Sequence, residues 1–127
     1  MARKLSQHLL DNGLTVEFWD HSRVTAGDRW QVVLEWRVAI PLKPDYLPPE
    51  LAERREEVLQ ILGTEVVFSQ QEIRHFIAAD QKNACLEEMQ TRLLAGNRSY
   101  LGHPQFPARF IRRQWTLRQE KKPWQTV

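Results

Sequence analysis

Trp30-Gln31-Val32-Val33-Leu34-Glu35-Trp36-Arg37-Val38-Ala39-Ile40 is the stretch that decides the fold. Trp30, Val32, Leu34, Trp36, Val38 and Ile40 alternate with Gln31, Val33, Glu35, Arg37 and Ala39, the two-residue period of a strand with one apolar face. Upstream, Ala26-Gly27-Asp28 supplies a turn, and residues 14–21 supply the strand before it. Val16 and Phe18 fall on one face of that strand and Thr15, Glu17 and Trp19 on the other. A three-residue turn sets Phe18 opposite Trp36 and Val16 opposite Val38. The apolar faces then coincide, and such agreement is what fixes strand register. Glu17 comes opposite Arg37 in the same register. Asn12-Gly13 reads as a two-residue hairpin, because both residues tolerate positive φ. It brings residues 4–10 alongside with His8 opposite Glu17, so a polar row of His8, Glu17 and Arg37 is expected across a three-stranded meander.

Beyond the meander, Pro41, Pro44, Pro48 and Pro49 end the sheet and lead into a helix over residues 50–62, with Leu51, Val58 and Leu62 as its buried stripe and Gly63 after it. Residues 64–77 are rich in β-formers and read as a strand, broken or bulged at Ser69-Gln70-Gln71. Asp80 can cap a second helix reaching to about residue 95, with Cys85, Leu86, Met89 and Leu93 inward and Gly96 following. Residues 109–117 read as a short strand, and the last ten residues as a frayed polar end. The expectation is an α+β fold: an antiparallel sheet, made of the N-terminal meander plus one or two later strands, with two helices on one face. It forms a single domain over residues 1–118, followed by a polar tail over 119–127.

Composition narrows the function classes. At 127 residues, with 42% apolar and 27% charged, the chain can bury one continuous core. Cys85 is the single cysteine, so no internal disulfide can form, and its acidic neighbours Glu87 and Glu88 argue for a structural thiol. No apolar run reaches the roughly 18 residues of a membrane span, and the first residues lack a signal-peptide core, so a soluble, cytoplasmic protein without membrane partners is expected. His8, His21, His75 and His103 show no metal-ligand spacing, and no metal is expected. The five glycines sit in turns, in a loop or after helices, leaving none for a phosphate-cradling loop, and no cofactor is expected.

Three functional readings follow. Asp20-His21-Ser22 has the ingredients of a catalytic triad, but on a strand His21 points away from its two neighbours, so no catalytic residue is assigned. The leading expectation is a non-enzymatic interaction domain that self-associates as a homodimer, with Trp19 and Val33 as an interface on the less apolar sheet face. The second rests on charge. Residues 98–127 hold 7 of the 18 Lys/Arg but only Glu120 among the 16 acids, and the segment interleaves aromatics with cations. Arg109, Arg112, Arg113, Trp115, Arg118, Lys121 and Lys122 would then contact nucleic acid, the cations on phosphates and the ring on bases. The third is a small-ligand protein or enzyme whose site is assembled by tertiary structure near Asp20, His21 or His75.

Overall fold

The computed structural model of the chain describes residues 2–125, with side chains through residue 120. Five strands and four helices run in the order β1 (Arg3–Leu9), β2 (Thr15–Asp20), β3 (Arg23–Ala26), β4 (Arg29–Pro41), α1 (Pro49–Ala52), α2 (Arg55–Leu62), β5 (Glu65–Ala78), α3 (Lys82–Leu101) and α4 (Phe106–Gln125), with a 3-10 turn at Ala79–Gln81 before α3. The fold is α+β. The antiparallel sheet has β2 between β1 and β4, β3 along the first part of β4, and β5 also paired with β4. Packing divides the chain into two compact units, residues 1–38 with 69–102 and residues 39–68 with 103–127.

In the first unit the central register is the one the alternation dictates: Val16 faces Val38, Glu17 faces Arg37 and Phe18 faces Trp36. It is reached by a different turn. Ala26 pairs with Arg29, leaving a two-residue turn of Gly27-Asp28 with Gly27 at φ +57°, and Thr25 is bulged out of β3. A two-residue turn plus one bulged residue consumes as much chain as a three-residue turn, so every downstream pairing is unchanged.

The first hairpin differs by one residue, with a larger consequence. Leu10 N–H donates to Leu14 O (2.7 Å) and Gly13 N–H to Leu10 O (3.0 Å), so the loop is Asp11-Asn12-Gly13. Gly13, at φ +89°, takes the left-handed position that closes such a three-residue loop. The extra residue slips β1 by one, and Gln7 rather than His8 faces Glu17. His8 instead faces Val16 on the apolar side, and its ring meets Phe18 edge-on at 5.9 Å. A one-residue slip exchanges the two faces of a strand, which is why the expected polar row loses its histidine.

Val16, Phe18, Val32, Leu34, Trp36 and Val38 are buried, as are Leu86, Met89 and Leu93 of α3, which packs on β2. The α3 helix continues through Gly96 and ends at Gly102, where a Cβ would stand 2.9 Å from Arg98 O and 3.2 Å from Asp11 N. Gly102 thus owes its place to a close backbone approach, whereas Gly96 is an ordinary helical residue in open space.

In the second unit, the helix expected over 50–62 is two helices, interrupted at Glu53-Arg54, and Gly63 at φ +85° closes the second. Residues 109–117 are helical, not a strand. Pro107, Ile111 and Trp115 recur every fourth residue and are buried, while Leu117, which strand alternation would set on one side with Ile111 and Trp115, is exposed. A period of four is the helical signal. His103 Nδ1 accepts the backbone N–H of Gln105 (3.0 Å) just before α4. Phe68 stacks edge-on against Phe106 and Phe110, at 5.6 and 5.8 Å.

Candidate functional site

The less apolar face of the first unit's sheet carries a connected polar cluster. Glu17 and Arg37 are cross-strand neighbours, with Glu35 two residues before Arg37 on the same face of β4. Trp19 Nε1–H donates to Glu17 Oε1 (2.9 Å), and Lys4 Nζ lies 3.3 Å from Glu17 Oε2. Arg37 Nε sits 3.8 Å from Glu17 and 3.9 Å from Glu35, and its guanidinium lies 4.1 Å over the Trp19 ring. Glu35 is the hub, with His21 Nε2 at 2.6 Å from one oxygen and the Ser69 hydroxyl donating to the other at 2.6 Å.

These contacts determine charge. The hydrogen bond from Trp19 is the largest influence on Glu17 and, with Lys4 and Arg37, holds its carboxyl below the usual carboxylate range against a partial burial that raises it. For Glu35, burial is the largest influence and raises the carboxyl. The hydrogen bonds from Ser69 and His21 and the charge of Arg37 outweigh it, and Glu35 also stays low. Ser69, Glu35 and His21 are brought together, but with the carboxylate in the middle. A serine nucleophile needs the imidazole next to its hydroxyl; here the hydroxyl proton is committed to Glu35.

The Asp20-His21-Ser22 run divides between the two faces. Asp20, 5% exposed, accepts the Ser22 backbone N–H at 2.8 Å and pairs with Lys82 at 3.4 Å and Arg3 at 3.5 Å. Burial pushes its carboxyl up, and the Ser22 hydrogen bonds and Lys82 more than reverse that. Lys82 also lies 4.4 Å over the ring of Trp30, which is half-buried. Ser22 Oγ accepts the Val33 N–H at 3.0 Å. Asp20 on the apolar side is thus a fully partnered carboxylate that ties the end of β2 to the start of α3. His75, on β5, lies 3.4 Å from the Gln31 amide.

The residues singled out from the sequence fall as follows. Trp19 is half-buried under Arg37, and Val33 is 7% exposed. On α4, Arg112 forms a two-pronged pair with Glu50 (2.5 and 3.1 Å), and Arg118 donates to Ile61 O (3.0 Å). Trp115 is buried, with the Arg54 guanidinium 5.1 Å from its ring. Arg109 and Arg113 are exposed and line a shallow depression of about 550 Å³ along one side of α4. The side chains of Lys121 and Lys122 lie outside the described residues. Among the described residues no group of three or more His, Cys, Asp or Glu is placed to hold a metal ion, and no helix is long and apolar enough to cross a membrane.

One feature is invisible in the sequence pattern. β5 is 14 residues long, pairs with β4 along one edge, and has no strand on its other edge among the described residues. In its first-unit portion Ile73 is 47% and Phe76 76% exposed, and Phe76 has φ +57°, a left-handed conformation that bulky residues rarely adopt. The burial periodicity of a strand reports its faces, not its edges, so only the sheet order reveals this. Comparison with protein-family models, curated proteins and solved structures finds no match for the chain.

Proposed function

We propose that this chain is an interaction domain that self-associates, with the open edge of β5 as its contact surface. The observation that supports the reading is a long edge strand with two large apolar side chains in solvent, Ile73 and Phe76. An unpaired edge offers a row of backbone donors and acceptors to another strand, and proteins usually blunt it with prolines, bulges or free charges. Over residues 69–76 there is no proline, and both charged residues, Glu72 and Arg74, are engaged by α3. Sedimentation velocity over a wide concentration range tests the reading. Dimers that grow with concentration, and are abolished by Ile73→Lys with the circular dichroism unchanged, are the expected result. A strict monomer at every concentration overturns it.

A second reading, nucleic-acid binding, is favoured by one observation. Arg109 and Arg113 stand four apart on the exposed side of α4 and make no ion pair that competes for them among the described residues. Binding of labelled oligonucleotides would fall steeply with salt, and Arg109→Ala with Arg113→Ala would reduce the salt slope by about one for each phosphate no longer neutralised. No binding at low salt ends this reading. The burial of Trp115 removes base stacking on that ring from it.

A further inference from the structure

Resting on the reading of the chain as self-associating, we infer that two copies join through residues 71–75 of β5, antiparallel about a two-fold axis at Ile73. The argument starts from the charges beside the edge. Glu72 and Arg74 lie on the α3 side of the strand. Arg74 pairs with Glu88 (3.2 Å) and Glu72 (3.5 Å), Arg92 pairs with Glu72, and Arg92 also reaches Glu88 (3.4 Å). The cluster holds two acids and two bases, so it is neutral, and two copies of it can meet without net repulsion.

Symmetry then limits the register. Facing residues in a continuous antiparallel sheet point to the same side, so a two-fold axis perpendicular to the sheet must fall on a residue, not between two. An axis at Glu72 sets Glu72 against itself, and an axis at Arg74 sets Arg74 against itself. Like charges directly opposite are destabilising. An axis at Ile73 sets Glu72 against Arg74 of the second copy twice, Ile73 against Ile73 and Gln71 against His75, and the ladder stops before Phe76, whose φ of +57° leaves the extended conformation. It joins the two neutral clusters into one network of alternating sign and covers the exposed Ile73 with its own counterpart. An interface is isologous when each contact recurs with its partners exchanged, and this register meets that condition with opposite charges at both off-axis ionic positions. The second copy is therefore the occupant that the edge complements. An edge pairing is small beside the roughly 1,200–2,000 Å² that stable complexes bury, so the dimer is expected to be concentration-dependent.

Two experiments on the full chain test the register. In the first, Glu72→Arg and Arg74→Glu each set like charges across the axis, and each should weaken dimerisation by about tenfold or more. In an equimolar mixture of the two variants, a mixed dimer again has opposite charges at both off-axis positions, and dimers should recover at wild-type concentrations. In the second, in a Cys85→Ser background, Ile73→Cys should oxidise to a covalent dimer, because facing Cα atoms lie about 4.5–5.5 Å apart, within disulfide reach. Gln71→Cys should not cross-link to itself but should cross-link to His75→Cys. The cysteine variants keep the inference falsifiable if charge reversal disturbs the contacts to α3. A wild-type dimer that neither cross-links at position 73 nor yields to the mixing experiment overturns the register while leaving self-association standing. A strict monomer overturns both.

Discussion

Asp20→Asn should destabilise the chain by about 1.5–3 kcal/mol at neutral pH, and most of that loss should vanish in acid. Three contacts set the figure. The Ser22 N–H is 2.8 Å away and would still find the Asn oxygen, but as a neutral acceptor; the charge-assisted part is worth about 1 kcal/mol. Lys82, with its side chain 20% exposed, loses its carboxylate, and a mostly buried cation without its partner costs about 1–2 kcal/mol. Arg3 is 63% exposed at its side chain, so its pair at 3.5 Å adds little. The pH dependence follows from the folded-state carboxyl being held below its ordinary value of 3.8. Above the unfolded value both states are ionised and the folded contacts contribute in full. As pH falls through the lowered folded value, the carboxylate takes up its proton and the contribution disappears. Urea unfolding of wild type and variant at pH 7, 5, 3 and 2 measures it. The gap between them should be constant from pH 7 to 5 and should narrow as the pH falls below the ordinary carboxyl value of 3.8. A gap below about 0.5 kcal/mol at pH 7, or one that persists unchanged at pH 2, refutes the assignment of Asp20 as the charged link between β2 and α3.

Four other outcomes are expected. Gly96→Ala should stabilise by about 0.5–1 kcal/mol, because the position is helical, open and not at positive φ, whereas Gly102→Ala should destabilise by about 1–3 kcal/mol, because its Cβ would stand 2.9 Å from Arg98 O; thermal unfolding of the pair separates the two helix glycines. Phe76→Gly should raise the stability of the monomer by up to about 1 kcal/mol in urea unfolding, since φ +57° costs a bulky L-residue strain that glycine does not carry and the ring is mostly in solvent. Glu35→Gln should cost about 1–2 kcal/mol, because the amide keeps an acceptor for Ser69 or His21 but withdraws the charge beside Arg37, and hydrogen–deuterium exchange should show faster opening of β4 near residue 35.

The sequence discloses what alternation and local chemistry control. β4 is evident because one buried face forces a strict two-residue period, and its register with β2 follows from matching that face. Two local features mislead for identifiable reasons. Asn12-Gly13 is compatible with both two- and three-residue loops, and the choice between them moves His8 from one face to the other. In α4, Ile111 and Trp115 fit a helix at four-residue spacing and a strand at even spacing, and Leu117 tips the pattern toward a strand although Pro107 and Phe106 extend the helical stripe. Short apolar runs carry this ambiguity intrinsically.

The candidate site is legible only in part, because its members come from strands whose pairing no local rule specifies. Glu17, Trp19, Glu35 and Arg37 can be set side by side from the β2–β4 register alone. Ser69 cannot, since placing it on Glu35 requires knowing that β5 returns along β4. The same missing pairing hides the edge. A strand that lies between two others and a strand at the margin can share one sequence pattern, because side chains report faces while edges are backbone. Over residues 69–76 of β5 no residue is buried, with Glu72 and Arg74 toward α3 and Ile73 left in solvent. What marks the edge is the sheet order, in which β5 pairs only with β4 among the described residues, and the opposite charges at positions 72 and 74 are what the proposed pairing with a second copy uses.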